Sequence, residues 1–68
     1  MDAQELILIG NAAIQAARRA NLPECAYQLE MAINTLEHCL EICDNDSIEF
    51  AANVLQTEID DFKNRRNE

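Results

Sequence analysis

The 68-residue chain has one glycine, one proline, no tryptophan and an aromatic content of only 4%. Glycine and proline supply the tight turns of multi-stranded folds, so their scarcity argues against an all-β architecture. Disorder is excluded from the other side, because 49% of the residues are apolar. Basic residues are also few, with five Lys and Arg against thirteen Asp and Glu and a formal net charge of −8. Between Arg19 and Lys63 there are none, while ten acids lie in that interval. Binding to phosphate backbones needs Lys and Arg, so direct nucleic-acid binding is not expected.

Long apolar runs are missing as well. Leu6-Ile7-Leu8-Ile9 is a run of four, whereas crossing a bilayer takes about 20 apolar residues. It follows Asp2 and Glu5 rather than a positive region, so it does not read as a secretory signal or a membrane segment. The three cysteines are an odd number, which fits a reducing, cytoplasmic setting better than a disulfide framework.

What is present points to helices. Asp2 with Glu5, Asn21 with Glu24 and Asp46 with Glu49 repeat the spacing of a capping box, in which the first side chain accepts a free backbone N–H and the acid answers it. Pro23 falls in the first turn of the second segment, where its missing N–H costs nothing. The pattern predicts three helices at about 3–19, 22–43 and 47–65, and their short connections imply antiparallel neighbours. Leu22, Cys25, Leu29, Ala32, Leu36, Cys39 and Cys43 form one seam at alternating steps of three and four. Ile48, Ala52, Leu55, Ile59 and Phe62 form another, and Leu6, Ile9, Ala13, Ala16 and Ala20 a third.

The first helix carries further apolar residues on its other faces. A helix that is apolar nearly all round needs cover nearly all round, and a domain this short is marginal without a disulfide, a metal or a second subunit. A homodimer is therefore expected, with Leu6, Ile7, Gly10, Ile14 and Ala17 facing the second subunit. In an up-down-up bundle Arg18, Arg19, Lys63, Arg65 and Arg66 gather at one pole, opposite Asp2, Glu5, Glu41, Asp44, Asp46 and Glu49. Cations at helix C-termini complement the macrodipole, and a polar charge layout also steers charged partners.

Chemistry-bearing residues do not assemble into a reactive set. His38 lies beside Cys39 but points away from the Cys39 and Cys43 face, and there is no paired Cys-x-x-Cys of a zinc site. All three cysteines fall on the seam, where they serve as small buried hydrophobes; a bridge from Cys39 to Cys43 within one turn is disfavoured by sterics, and a bridge between subunits stays open. Asp44-Asn45-Asp46-Ser47 lacks the glycine and downstream Glu of a calcium loop. With one histidine and no residue placed to orient it, no enzyme, cofactor or metal is expected.

The more informative residues are apolar ones off the seam. Tyr27, Met31, Asn34 and His38 make a stripe along helix 2 at steps of four, three and four, and Ile42, Phe50 and Val54 add apolar area. Tyrosine is amphipathic and methionine adaptable, a combination suited to receiving a partner.

From Ala13 to Ile33 the pattern Ala13-Ile14, Ala20, Leu22, Cys25, Leu29 and Ala32-Ile33 resembles the helical hairpin of tetratricopeptide repeats and of microtubule-interacting-and-trafficking domains. The latter are three-helix peptide-binding modules, and Phe62-Lys63-Asn64-Arg65 is similar to the aromatic and arginine that end their third helix. The family positions usually held by aromatics and glycine carry Leu22, Leu29 and Ala20 here. The resemblance implies binding of a peptide helix by analogy of fold.

The sequence thus reads as a single all-α domain over residues 1–68, an up-down-up three-helix bundle that dimerises. Its expected role is a non-enzymatic protein–protein interaction module: a small acidic adaptor, chaperone or regulatory subunit. Tyr27, Met31, Asn34 and His38, with the acidic flank of Glu30, Glu37 and Glu41, are its expected partner-binding residues. Two other roles fit the same features: an acidic nucleic-acid mimic occupying a basic site, and a structural protein that assembles only with itself.

Overall fold

A computed structural model describes residues 2–66, with residue 66 described by its backbone only. Three helices, α1 (Ala3–Arg19), α2 (Pro23–Ile42) and α3 (Asn45–Arg66), are packed together, each against the other two. The described residues contain no strand.

The helix boundaries show which local rule prevails where two compete. Asp2 caps α1 as expected, accepting from the Gln4 N–H at 3.2 Å. Asn21, expected to cap α2, instead closes α1. It adopts a left-handed backbone with φ 64°, its N–H donates to the Arg18 carbonyl, and the Leu22 N–H donates to the Ala17 carbonyl. This pair of bonds is a Schellman closure, which needs a left-handed residue after the helix. Asparagine is the side chain that best tolerates that geometry in the absence of glycine. The residue before α2 is Leu22, which makes no side-chain cap, and the proline that follows helps to set the first turn.

The third cap is displaced by two residues. Asp44, rather than Asp46, accepts from the Asp46 N–H at 3.2 Å and from the Ser47 hydroxyl at 2.9 Å. Its carbonyl receives the Ile48 N–H, so α3 starts at Asn45 rather than near 47. Asp44→Ala is expected to cost about 1 kcal/mol, the usual penalty for losing such a cap. Asp46→Ala is expected to cost less, and thermal melts of the two variants followed by circular dichroism make the comparison.

Cys43 ends α2 in a left-handed conformation, φ 57°, and is exposed. The expectation that all three cysteines are buried is therefore corrected: Cys25 and Cys39 are core residues and Cys43 is a helix terminator. A side chain with a Cβ is strained in that region, so Cys43→Gly is expected to stabilise the chain by about 0.5–1 kcal/mol. That corresponds to a melting temperature higher by roughly 2–8 °C.

The core sits where the three helices meet. Leu29, Leu36, Leu55 and Ile59 are the largest fully buried side chains, joined by Cys25, Ala32, Ile33, Cys39, Ala51 and Phe62. The α2 seam matches the sequence reading apart from Cys43 and the half-buried Leu22. On α3 the buried line runs through Ala51, Leu55, Ile59 and Phe62, with Ile48 and Ala52 at its margin.

On α1 the packing differs from the expectation. Leu6, Ile7, Gly10, Ala13, Ile14 and Ala17 are buried within the single chain, so the five residues assigned to a second subunit face the chain's own α2 and α3. Of the stripe expected to face inward, Ile9 and Ala20 are exposed and Ala16 half-buried. Gly10 explains the choice of face. A Cβ built there would lie 2.9 Å from Ile33 Cδ1 and 3.3 Å from Leu55 Cδ1, so α1 turns its one residue without a side chain toward a close approach of α2 and α3 side chains.

Candidate functional site

Among the described residues, seven large apolar side chains remain exposed: Leu8, Ile9, Tyr27, Met31, Ile42, Phe50 and Val54. Single exposed apolar residues are ordinary, whereas a contiguous group marks a surface that receives something. Four of the seven are contiguous. Tyr27 and Met31 on α2, with Phe50 and Val54 on α3, line a surface groove with a volume of about 390 Å³.

The groove follows from helix spacing. On α2, Tyr27, Met31 and Thr35 recur every four residues, and on α3, Phe50, Val54 and Glu58 do the same. Ridges at that spacing run nearly along a helix, so two such ridges leave a furrow between them. Its floor is Ala32 and Ala51, both buried. Their short side chains keep the furrow deep, while Tyr27 at 62% and Phe50 at 72% exposure stand as its walls. Thr35 turns its hydroxyl back to the Met31 carbonyl at 2.9 Å, which leaves its methyl as the part available to the groove.

The expected stripe on α2 divides between two furrows. Tyr27 and Met31 lean toward α3, whereas Asn34, Glu30 and Glu37 line a smaller and more polar furrow between α2 and α1, with Asn11, Gln15 and Arg18. There Arg18 and Glu30 form an ion pair at 2.8 Å, with both side chains about half exposed. A pair that wet is worth at most about 1 kcal/mol, so it aligns side chains rather than holding the fold. His38 and Glu41 are exposed but line neither furrow.

Phe50 and Val54 were legible as apolar residues off the seam but not as neighbours of Tyr27 and Met31. Only the packing of α3 on α2 joins them. Comparison with protein-family models, curated proteins and solved structures finds no match. The site's chemistry is accordingly read from its own residues.

That chemistry is apolar contact edged by negative charge. No lysine or arginine lines the groove, and its one ionisable carboxylate is Glu58. The cations lie elsewhere. Lys63 borders a furrow between α1 and α3 with Ile9, Ala12 and Ala16. Arg65 donates to the Cys25 sulfur at 3.3 Å, beside Asn21, Leu22 and Pro23. Arg66 completes the expected basic pole, but its side chain lies outside the described residues. Among the described residues, no group of three or more His, Cys, Asp and Glu is arranged to hold a metal ion, and no helix is long and apolar enough to cross a membrane.

Proposed function

We propose that this chain is a non-enzymatic protein–protein interaction module whose recognition surface is the groove between α2 and α3. One observation carries the reading: Tyr27, Met31, Phe50 and Val54 form a continuous exposed apolar surface, of the composition favoured in the cores of protein interfaces. Methionine and tyrosine there supply adaptable contact area, so the groove suits an adaptor, chaperone or regulatory subunit.

The helices are proposed to run up-down-up. Arg18 near the end of α1 reaches Glu30, and Arg65 near the end of α3 reaches Cys25. Both helix ends thus contact the first half of α2, as two neighbours antiparallel to it would. That arrangement brings Arg18, Arg19, Lys63 and Arg65 toward one pole, where Glu30 pairs with Arg18 and Glu24 borders the furrow of Arg65, and leaves Asp2, Glu5, Glu41, Asp44, Asp46 and Glu49 toward the other.

Capture experiments test the role. Wild-type protein is expected to retain a specific partner that the double variant Tyr27→Ala, Met31→Ala loses, with helicity unchanged because both side chains are exposed. Retention of the same partner by the variant contradicts the assignment. Salt separates this mode from phosphate mimicry: apolar contact persists when salt is raised, whereas mimicry of a phosphate backbone weakens steeply.

Self-association is a second reading, favoured by the outward face of α1. Leu8 is 69% exposed and lies next to exposed Ile9, with Ala12 one turn away. A homodimer through that face leaves the α2–α3 groove free. Light scattering at micromolar concentration is expected to give a dimer mass that Leu8→Glu halves; a monomer mass for the wild type eliminates this reading.

A further inference from the structure

We propose that the α2–α3 groove receives a short amphipathic helix whose apolar face is flanked by Lys or Arg. The inference rests on the recognition role above and specifies its ligand. From Tyr27 to Thr35 the groove spans nine residues of α2, eight steps and about 12 Å of helix axis at 1.5 Å per residue. That length matches two turns of a guest helix, which presents two or three apolar anchors at i, i+3 or i+4, and i+7. A volume of about 390 Å³ accommodates a few side chains rather than a folded domain.

Charge selects the guest. Glu58 lines the groove itself. Glu24 precedes Tyr27 by three residues and Met31 by seven on the same α2 face, where it also borders the furrow that holds Arg65. On α3, Asp46 precedes Phe50 by four, and Asp61 follows Val54 by seven. All three are exposed, so acids extend both apolar ridges, with Arg65 beside Glu24 at one end and Glu58 within the groove itself. A guest with cations flanking its apolar face meets complementary charge, which raises the encounter rate and fixes orientation.

The same layout argues against the other occupants. A second copy meeting this groove through its own would bring Glu58 toward the same carboxylate of the other copy in a groove lined by no Lys or Arg, and like charges so placed oppose association. An anionic lipid surface is repelled for the same reason.

The test uses a fluorescein-labelled peptide of about 18 residues, long enough to form helix, with leucines at i, i+3 or i+4 and i+7 and lysines on both flanks. One companion replaces the lysines with glutamate and another replaces the leucines with serine. By fluorescence anisotropy the first peptide is expected to bind at least tenfold more tightly than either companion. Val54→Asn and Met31→Gln keep the protein's charge and are expected to weaken binding tenfold or more. The pair Glu58→Gln, Asp61→Asn is expected to weaken it about threefold, and circular dichroism verifies that each variant is folded.

Equal binding of the lysine and glutamate peptides overturns the choice of guest. So does binding that Val54→Asn leaves unchanged, which would mark a diffuse attraction to an acidic protein. A dimer that Val54→Asn dissociates gives the groove to a second copy. If the peptide fails while Tyr27→Ala, Met31→Ala still loses a captured partner, the recognition role stands and the basic helix is wrong; if the capture difference is also absent, both fall.

Discussion

Leu36→Ala is expected to unfold a large share of the molecules at 37 °C. The side chain is 0% exposed at the centre of the core, and a buried leucine replaced by alanine typically costs 2–5 kcal/mol, according to how far the site can collapse. A chain of 68 residues has a total stability of about 3–10 kcal/mol, so this single cavity removes a large fraction of it. Collapse has little scope here. Leu36 belongs to the same buried cluster as Leu29, Leu55 and Ile59, all nearly or fully buried on two helices. Urea denaturation is expected to show a midpoint lowered by that amount divided by an unchanged slope. Leu36→Met keeps the volume and is expected to cost less than about 1.5 kcal/mol. Equal midpoints for wild type and Leu36→Ala would mean that this residue is not at the core.

Gly10→Leu is the second large effect, and its sign separates two properties of glycine. In a helix interior glycine is about 1 kcal/mol worse than alanine, so Gly10→Ala gains propensity. It also brings a Cβ to 2.9 Å from Ile33 Cδ1, tighter than real contacts, although that atom is the movable end of a side chain. The two terms oppose each other, and Gly10→Ala is expected to fall within about 1 kcal/mol of wild type. Leucine adds atoms beyond Cβ where Ile33 and Leu55 already stand. Overpacking of that kind costs about 3 kcal/mol. A double-mutant cycle assigns the cause: in an Ile33→Val background the penalty for Gly10→Leu is expected to shrink, because the clashing methyl has gone. An unchanged penalty would place the strain elsewhere.

These two residues also show how far the sequence could be read. Leu36 announces itself, because its seam of alternating threes and fours admits one buried face on α2. The number of helices and the extent of α1 were legible for the same reason, periodicity together with the Asp2 cap. Gly10 shows where periodicity stops. On a helix apolar nearly all round, spacing identifies several possible inner faces, and only the approach of Ile33 and Leu55 selects among them. The face expected to meet a second subunit is therefore the one that packs inside.

The termini of α2 and α3 were obscured by a different degeneracy. Asparagine is both a good N-cap and the side chain that best tolerates a left-handed backbone, and Asn21 takes the second role because no glycine lies between α1 and α2. Asp44 and Asp46 are chemically identical candidates two residues apart, and the hydroxyl of Ser47 is placed to reinforce Asp44. The groove was half legible. Tyr27 and Met31 were visible as a stripe, and Phe50 and Val54 as apolar residues without a seam. Their meeting depends on the packing of two helices, and no spacing within one helix encodes it. Asn34 belongs to the other furrow because residues on the crest of α2 are shared between two neighbours.

The central claim, that the α2–α3 groove is a protein-recognition surface, is tested most directly by photo-crosslinking in cells. A benzophenone-bearing residue placed at Met31, 49% exposed in the groove, is compared with one at exposed Gln4 on α1, which lines no part of the groove. The account predicts a discrete adduct with a different protein from position 31, reduced or absent from position 4 and abolished by Val54→Asn. Adducts from position 31 that contain only a second copy of the chain, or that form equally from both positions, would contradict it.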